Sequence, residues 1–181
     1  MEFMTCNDRA VLSAIEADIT SLAISCIVNA ANEQLIMGGG VDGAIRRKAG
    51  PNMETELRRI GRCSTGQAVL TGGHRLPSRY VIHTVAPVWS DDSTARSSQI
   101  SLLSDCYKNS LLLAQAHGIG EIAFPCLGTG IYAWPPELAA RTAFDAVTTW
   151  LREHGQFSRV VFCCFSGADK NRYASLIDSL E

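Results

Sequence analysis

The sequence predicts a single α/β domain, a three-layer α/β/α sandwich around a central mixed sheet. Short apolar segments alternate along the chain with longer segments of helical periodicity. Glycine-rich loops follow two of the apolar segments, and sheets of this kind bind ligands at the carboxyl ends of their strands. The length of 181 residues fits one domain. We expect that domain to span residues 4–181, and the residues 1–3 ahead of Met4 to be a cloning scar.

The first half of the chain is predicted to contain four strands and two helices. The opening segment alternates apolar and polar residues, which is typical of a half-buried strand, and it stops at Asp18-Ile19-Thr20. The sequence Gly50-Pro51 ends one helical pattern and begins the next. The predicted strands are Ala10–Ala17, Cys26–Val28, Gln67–Leu70 and Tyr80–Val85, and the predicted helices are Val41–Ala49 and Asn52–Gly61.

The second half is predicted to alternate three helices with two strands. Pro135-Pro136 suits the first turn of a helix. The polar stretch Ser90–Ser98 lacks periodicity and is predicted to be a surface loop. The predicted helices are Gln99–His117, Pro136–His154 and Asp169–Leu180, and the predicted strands are Glu121–Phe124 and Arg159–Phe165.

The net charge, the cysteines and the histidines give no indication of a membrane protein, a nucleic-acid-binding protein or a metal site. The net charge of −2 gives no electrostatic reason to expect a membrane or nucleic-acid partner. The seven cysteines, an odd number without a C-x-x-C pair, indicate reduced thiols in the cytoplasm, each a small buried hydrophobe rather than a metal ligand. His83 lies on an apolar strand and is interpreted as a core histidine; the other three histidines fall at turns or helix ends.

The glycines Gly38, Gly40 and Gly43 match G-x-G-x-x-G, which suggests an NAD-binding turn. In such a turn the first glycine directly follows a strand, and an acidic residue ends the next strand about 20 residues later. Here nine polar or irregular residues, 29–37, intervene after the strand, and no acidic strand end follows. The glycines can instead bring backbone N–H groups to a phosphate at a helix N-terminus, or merely permit a tight loop.

A second glycine loop, Gly128-Thr129-Gly130, follows the Glu121–Phe124 strand and precedes a predicted helix. It supplies unhindered N–H donors and one hydroxyl at the carboxyl end of a strand. Two such loops suggest that two phosphates are held from both sides. A diphosphate would satisfy both loops, and ADP-ribose is the simplest candidate.

The motifs together resemble a known family. "IVNAAN", "GGGVDGAI", "LPSRYVIHTVAP", "CYKNSLLLA", "IAFP", "GTGIY" and "VVFCCF" occur in the order found in macrodomains, and the chain resembles the MacroD-type branch over nearly its whole length. The resemblance implies a macrodomain fold that binds ADP-ribose and its derivatives. It also implies a hydrolase that removes mono-ADP-ribose from acidic side chains of proteins and deacetylates O-acetyl-ADP-ribose, without a metal or cofactor. We expect a monomer.

The resemblance also implies the roles of individual residues. Asp18 would accept a hydrogen bond from the adenine amino group beside the Ile19 amide, and Phe165 would stack on adenine. Asn32 would orient the distal ribose, and Asp42 would hold or activate the attacking water. The diphosphate and distal ribose would be surrounded by Gly39, Gly40, Val41, Gly128, Thr129, Gly130, Ile131 and Tyr132.

Simpler interpretations stay open for three of these residues: Asp18 as a turn cap, Phe165 as a core residue and Asp42 as a helix-capping acid. The chain also departs from the family pattern at Met37, Arg46, Gly128 and Ala133-Trp134. Arg46 lies one helical turn from Asp42 and could change how that carboxylate is held. A non-catalytic ADP-ribose reader is the alternative function. Because a reader does not require Asn32 together with Asp42, the presence of both residues favours the enzyme.

Overall fold

The structure is a computed structural model that describes residues 11–155 and 157–180. The predicted scar at residues 1–3, Cys6 and the first residue of the predicted Ala10–Ala17 strand lie outside the described residues. The strands are β1 (Leu12–Glu16), β2 (Cys26–Ala30), β3 (Ala68–Gly72), β4 (Tyr80–Thr84), β5 (Glu121–Phe124) and β6 (Arg159–Cys164). The helices are α1 (Gly40–Ala49), α2 (Pro51–Ile60), α3 (Arg96–Ala116), α4 (Pro136–His154) and α5 (Gly167–Asp178), and Ile19–Ser21 forms a 3₁₀ turn.

The order and type of the predicted elements are confirmed, and their boundaries differ from the predicted ones by up to three residues. Helix α3 begins at Arg96, three residues before the predicted start. The last residues of the predicted Ser90–Ser98 loop are therefore helical. Arg96, Ser97 and Ser98 are exposed and form the first turn of the helix, where the Ala95 carbonyl accepts from the Gln99 N–H at 3.0 Å.

The six strands form one mixed sheet in the order β1-β6-β5-β2-β4-β3. Strand β3 runs antiparallel to β4, and the other pairs are parallel. The carboxyl ends of β1, β2, β5 and β6 therefore meet at one edge of the sheet. This is where the two glycine loops and the predicted site residues leave the strands.

Alternate residues of the strands face two separate hydrophobic cores. On one face Val28, Phe124 and Phe162 pack with apolar residues of α3, α4 and α5. On the other face Ile27 and Val161 pack with apolar residues of α1 and α2. Helices thus cover both faces, which confirms the three-layer α/β/α sandwich.

The loop after β5 depends on a glycine in the left-handed region of backbone conformation. Gly128 has φ of 83°, and a Cβ atom at this position would lie 2.7 Å from Trp134 Cδ1. Trp134 is buried, and its indole Nε1 donates to the Pro87 carbonyl at 2.8 Å. The departure from the family at Trp134 is therefore a packing residue that fits against Gly128.

We predict that Gly128→Ala lowers the free energy of unfolding by about 2 kcal/mol or more, through the left-handed conformation and overpacking against Trp134. Gly130→Ala is the matched control, since no atom lies within 4 Å of a Cβ there and its φ is not positive. Chemical denaturation measures both. Equal stability of the two variants would contradict the assigned role of Gly128.

Candidate functional site

A cleft of about 590 Å³ opens at the carboxyl edge of the sheet. Its volume lies within the range of small-molecule sites, roughly 300–1,000 Å³. Every residue that the sequence predicts for the site lines this cleft. The structure thus brings together segments that are up to about 150 positions apart in the chain, and the role of each residue stays a prediction.

One end of the cleft presents a carboxylate and an exposed aromatic ring. Asp18 Oδ1 accepts from the Thr20 backbone N–H at 2.9 Å and from the Thr20 hydroxyl at 2.7 Å, and these bonds lower the pKa of Asp18. Asp18 therefore caps the 3₁₀ turn, and its other oxygen accepts no bond from the part of the chain that the structure describes. Phe165 is 90% exposed, so its interpretation as a core residue is wrong.

The middle of the cleft is formed by the two glycine loops. Gly39 is the N-cap of α1, and Gly40 opens the helix with φ of 54°. The N–H groups of the first turn of α1 and the helix dipole favour an anion at this point. The loop Gly128–Tyr132 lies in the same cleft, with Ile131 90% exposed. Backbone donors and an exposed apolar side chain are thus available to an anionic ligand with sugar rings.

The other end of the cleft contains the two residues predicted to be catalytic. A methyl group built on Gly38 would lie 3.5 Å from Asp42 Oδ2 and 3.7 Å from Asn32 Nδ2. The space in front of Gly38 is therefore bounded by both side chains. Asn32 is already tied to its own loop, because Nδ2 donates to the Ile36 carbonyl at 2.8 Å and Oδ1 accepts from the Ile36 N–H at 3.1 Å.

Asp42 is almost fully buried, and three donors bind its carboxylate. Oδ1 accepts from Asn29 Nδ2 at 2.6 Å and from Arg46 Nε at 2.9 Å, and Oδ2 accepts from the Gly38 N–H at 2.7 Å. An ionised carboxylate has about four acceptor positions, so one position on Oδ2 remains for a group in the cleft. Asp42 also lies in the first turn of α1, where an acid is favourable to the helix dipole.

Arg46 does change how Asp42 is held. Its guanidinium is buried and bridges Asp42 to Glu54, whose Oε1 it contacts at 2.8 Å. Burial would lower the pKa of Arg46, but the hydrogen bonds and charges of Asp42 and Glu54 outweigh burial and raise it. The cation therefore compensates the charge of a buried carboxylate beside the cleft.

A buried polar network lies beneath Asp42, and the sequence analysis missed its connection to the site. Asn29 and His83 are adjacent in the register of β2 and β4, and Asn29 Nδ2 lies 3.0 Å from His83 Nδ1. His83 Nε2 lies 2.8 Å from the Thr71 hydroxyl. His83 is a satisfied core histidine, as predicted. In the sequence, the amides of "IVNAAN" and the histidine of "YVIHTV" were the residues that could have indicated this network.

Several further residues line the cleft without having been predicted. Arg47 is exposed and passes over Gly43, with its guanidinium Nη1 2.9 Å from where a Cβ at Gly43 would lie. Cys126 and Cys163 also line the cleft, and Cys126 is only partly buried, contrary to the expectation that each cysteine is a buried hydrophobe. The basic pair at 46–47 was the available signal for Arg47.

Within residues 11–155 and 157–180, no group of three or more His, Cys, Asp or Glu side chains has the arrangement of a metal site. None of the helices in these ranges is long and apolar enough to cross a membrane.

Comparison with known proteins places this fold and cleft in a family. A family model, the Macro domain, matches residues 28–143. The Macro domain-containing protein RSc0334 of Ralstonia nicotianae is 50% identical over 168 residues, which are 92% of this chain and 94% of that protein. The chain belongs to the Macro domain family.

Other relatives have names that describe an activity. The O-acetyl-ADP-ribose deacetylase of Escherichia fergusonii is 42% identical over 173 residues, which are 93% of this chain and 96% of that protein. The ADP-ribose glycohydrolase MACROD1 of Bos taurus is 44% identical over 163 residues, 90% of this chain but 50% of that protein. Among solved structures, the Oceanobacillus iheyensis macrodomain with ADP superposes with a TM-score of 0.87 at 35% identity, covering 93% of this chain and 90% of that one.

Proposed function

We propose that this protein binds ADP-ribose in the cleft, hydrolyses mono-ADP-ribose from acidic side chains of proteins and deacetylates O-acetyl-ADP-ribose. The observation that carries the proposal is the space in front of Gly38, which Asn32 and Asp42 bound together. The names of the bovine and Escherichia fergusonii relatives and the ADP-bound Oceanobacillus iheyensis structure support the same ligand and reaction class.

The adenosine part of the ligand fits the end of the cleft that contains Asp18 and Phe165. The second oxygen of Asp18 is available to accept from the donor-only adenine amino group. The exposed face of Phe165 is available for stacking. The diphosphate then falls between the Gly39–Val41 segment and the Gly128–Tyr132 loop, where backbone N–H groups and the α1 dipole compensate its charge.

The distal ribose is thereby directed to Asn32 and Asp42. Asn32 retains one amide hydrogen and one lone pair beyond its bonds to Ile36, and these can hold a ribose hydroxyl. The remaining acceptor position of Asp42 Oδ2 can hold a water that attacks the ester linkage of the distal ribose, with a ligand phosphate oxygen as its second partner. Both residues thus act mainly by positioning, and this chemistry uses no metal or cofactor.

A reader module is the second candidate, and one observation favours it. Both polar atoms of Asn32 already serve the loop that contains Ile36. If this is the whole role of Asn32, the cleft holds ADP-ribose without turning it over. Release of ADP-ribose separates the two functions, because a reader binds the ligand and releases none.

We further propose that the protein acts as a cytoplasmic monomer on ADP-ribosylated proteins. The free state of the six described cysteines supports a reducing compartment. The balanced charge of the sequence gives no support for nucleic-acid or membrane partners.

We predict that Phe165→Ala raises the Kd for ADP-ribose roughly 5- to 150-fold, because stacking on a base contributes about 1–3 kcal/mol. Isothermal titration calorimetry measures the affinity. Leu112→Ala on α3 is the matched control, an exposed apolar residue that does not line the cleft. An unchanged Kd in Phe165→Ala would refute the adenine end of the assignment.

We predict that Gly38→Ala lowers kcat at least about tenfold, because its methyl group occupies the space between Asn32 and Asp42. Asn32→Ala should reduce turnover to a similar or larger extent. The assay is release of ADP-ribose from a glutamate- or aspartate-linked automodified protein, with affinity followed by calorimetry.

Gly120→Ala is the control for Gly38→Ala, since it introduces the same methyl group beside Ser158, away from the cleft. We expect full activity for this control and stability within about 0.5 kcal/mol of wild type for both variants. Normal turnover in Gly38→Ala would contradict the proposed reaction site. If the wild type binds ADP-ribose but releases none from the modified protein, the protein is a reader.

A further inference from the structure

We propose that Asn29 and His83 are positioning residues that orient the Asp42 carboxylate toward the cleft, with neutral His83 setting the direction of the Asn29 amide. The contribution of this pair to turnover rests on the proposed function. Neither residue lines the cleft, so the pair acts only through Asp42.

The geometry of Asn29 leaves one consistent arrangement of its amide. Nδ2 lies 2.6 Å from Asp42 Oδ1 and 3.0 Å from His83 Nδ1, and the amide group has two hydrogens to donate. The reverse orientation would place the amide carbonyl against a carboxylate. His83 Nδ1 must therefore be the acceptor, and the proton of the neutral ring belongs on Nε2.

The far side of the ring is consistent with this tautomer. His83 Nε2–H donates to the Thr71 hydroxyl at 2.8 Å, and that hydroxyl donates onward to the Gly72 carbonyl at 3.1 Å. Burial, together with the charge of Arg46, lowers the pKa of His83 to about 3. The ring is thus neutral at physiological pH, and the Thr71 hydroxyl is the acceptor that the Nε2–H tautomer requires.

Burying this polar network is unfavourable in free energy, and packing alone gives no reason for polar residues at these positions. Asn29, His83, Thr71 and Asp42 are all buried, and burying polar groups is unfavourable unless each is paired. Asn29 Oδ1 has no hydrogen-bond partner within the described part of the chain. An apolar residue would avoid this penalty, so what Asn29 contributes is the bond to Asp42.

The two oxygens of Asp42 therefore have different roles in the site. Asn29 and Arg46 occupy Oδ1, and this turns Oδ2 toward the Gly38 N–H and the cleft. Without the Asn29 bond the carboxylate can rotate about its last torsion, which is broad for aspartate. The free position of Oδ2 would then no longer face the space in front of Gly38.

The test removes the hydroxyl at the far end of the network, three hydrogen bonds from the cleft. Thr71→Val is nearly isosteric and leaves His83 Nε2–H without its acceptor, so the other tautomer becomes competitive and the Asn29 amide loses its fixed direction. Thr84→Val is the matched control, because Thr84 is also buried on the sheet but donates to the Gln67 carbonyl outside the network.

Nitrogen-15 NMR of the whole chain reports the His83 tautomer and the Gly38 amide resonance. Steady-state kinetics measures kcat, and calorimetry measures the Kd for ADP-ribose. We expect the Nε2–H tautomer in the wild type. In Thr71→Val we expect a mixture of tautomers, a shifted Gly38 amide and a roughly tenfold lower kcat at unchanged Kd, the size expected when a partner that orients a functional group is lost. Thr84→Val should match the wild type.

The proposal is overturned if wild-type His83 carries its proton on Nδ1, or if Thr71→Val and Thr84→Val have the same kcat and the same Gly38 amide shift. If the wild type binds ADP-ribose but releases none, the proposed function fails while the orientation of Asp42 is still decided by NMR. In that case a Gly38 amide that moves only in Thr71→Val supports the positioning pair, and one that does not move overturns it.

Discussion

The structure of the cleft depends on a buried negative charge, the carboxylate of Asp42. A carboxylate in this position is stable only when it is paired and hydrogen-bonded, because the loss of hydration costs several kcal/mol. Arg46 supplies the opposite charge, and Asn29 and Gly38 supply further donors. The bonds from Asn29 and Gly38 join α1 to β2 and to the glycine loop, so the charge and the shape of this end of the cleft are fixed together.

The parallel sheet explains why the remaining parts of the cleft converge on this point. Strands β1, β2, β5 and β6 end at one edge, and the segments that follow them contribute the cap at Asp18, the loop at Asn32, the loop at Gly128 and the ring of Phe165. Each segment follows a strand whose alternate side chains pack into the two cores. Rigid strands thus support loops that present backbone donors, which is the arrangement that an extended anionic ligand requires.

Much of this could be predicted from the sequence because it is local. Alternation, helix stops and glycine clusters are properties of neighbouring residues, and the predicted order of strands and helices is confirmed. The start of α3 at Arg96 was missed because the exposed polar residues of its first turn show no apolar periodicity. Phe165 could not be assigned from its strand, because whether it belongs to the core depends on β6 ending at Cys164. The network of Asn29, His83 and Thr71 depends on the register of three strands, which no local pattern encodes.

A crystal structure with ADP-ribose bound tests the role of the cleft and of the Asp42 carboxylate most directly. We expect adenine to lie against Phe165, the diphosphate to lie between the two glycine loops, and the distal ribose to lie in front of Gly38 within reach of Asn32. We also expect Asp42 to keep its bonds to Asn29 and Arg46 while Oδ2 faces the ribose through a water. A ligand bound in the opposite direction, or an Asp42 carboxylate turned away from the cleft, would contradict these roles.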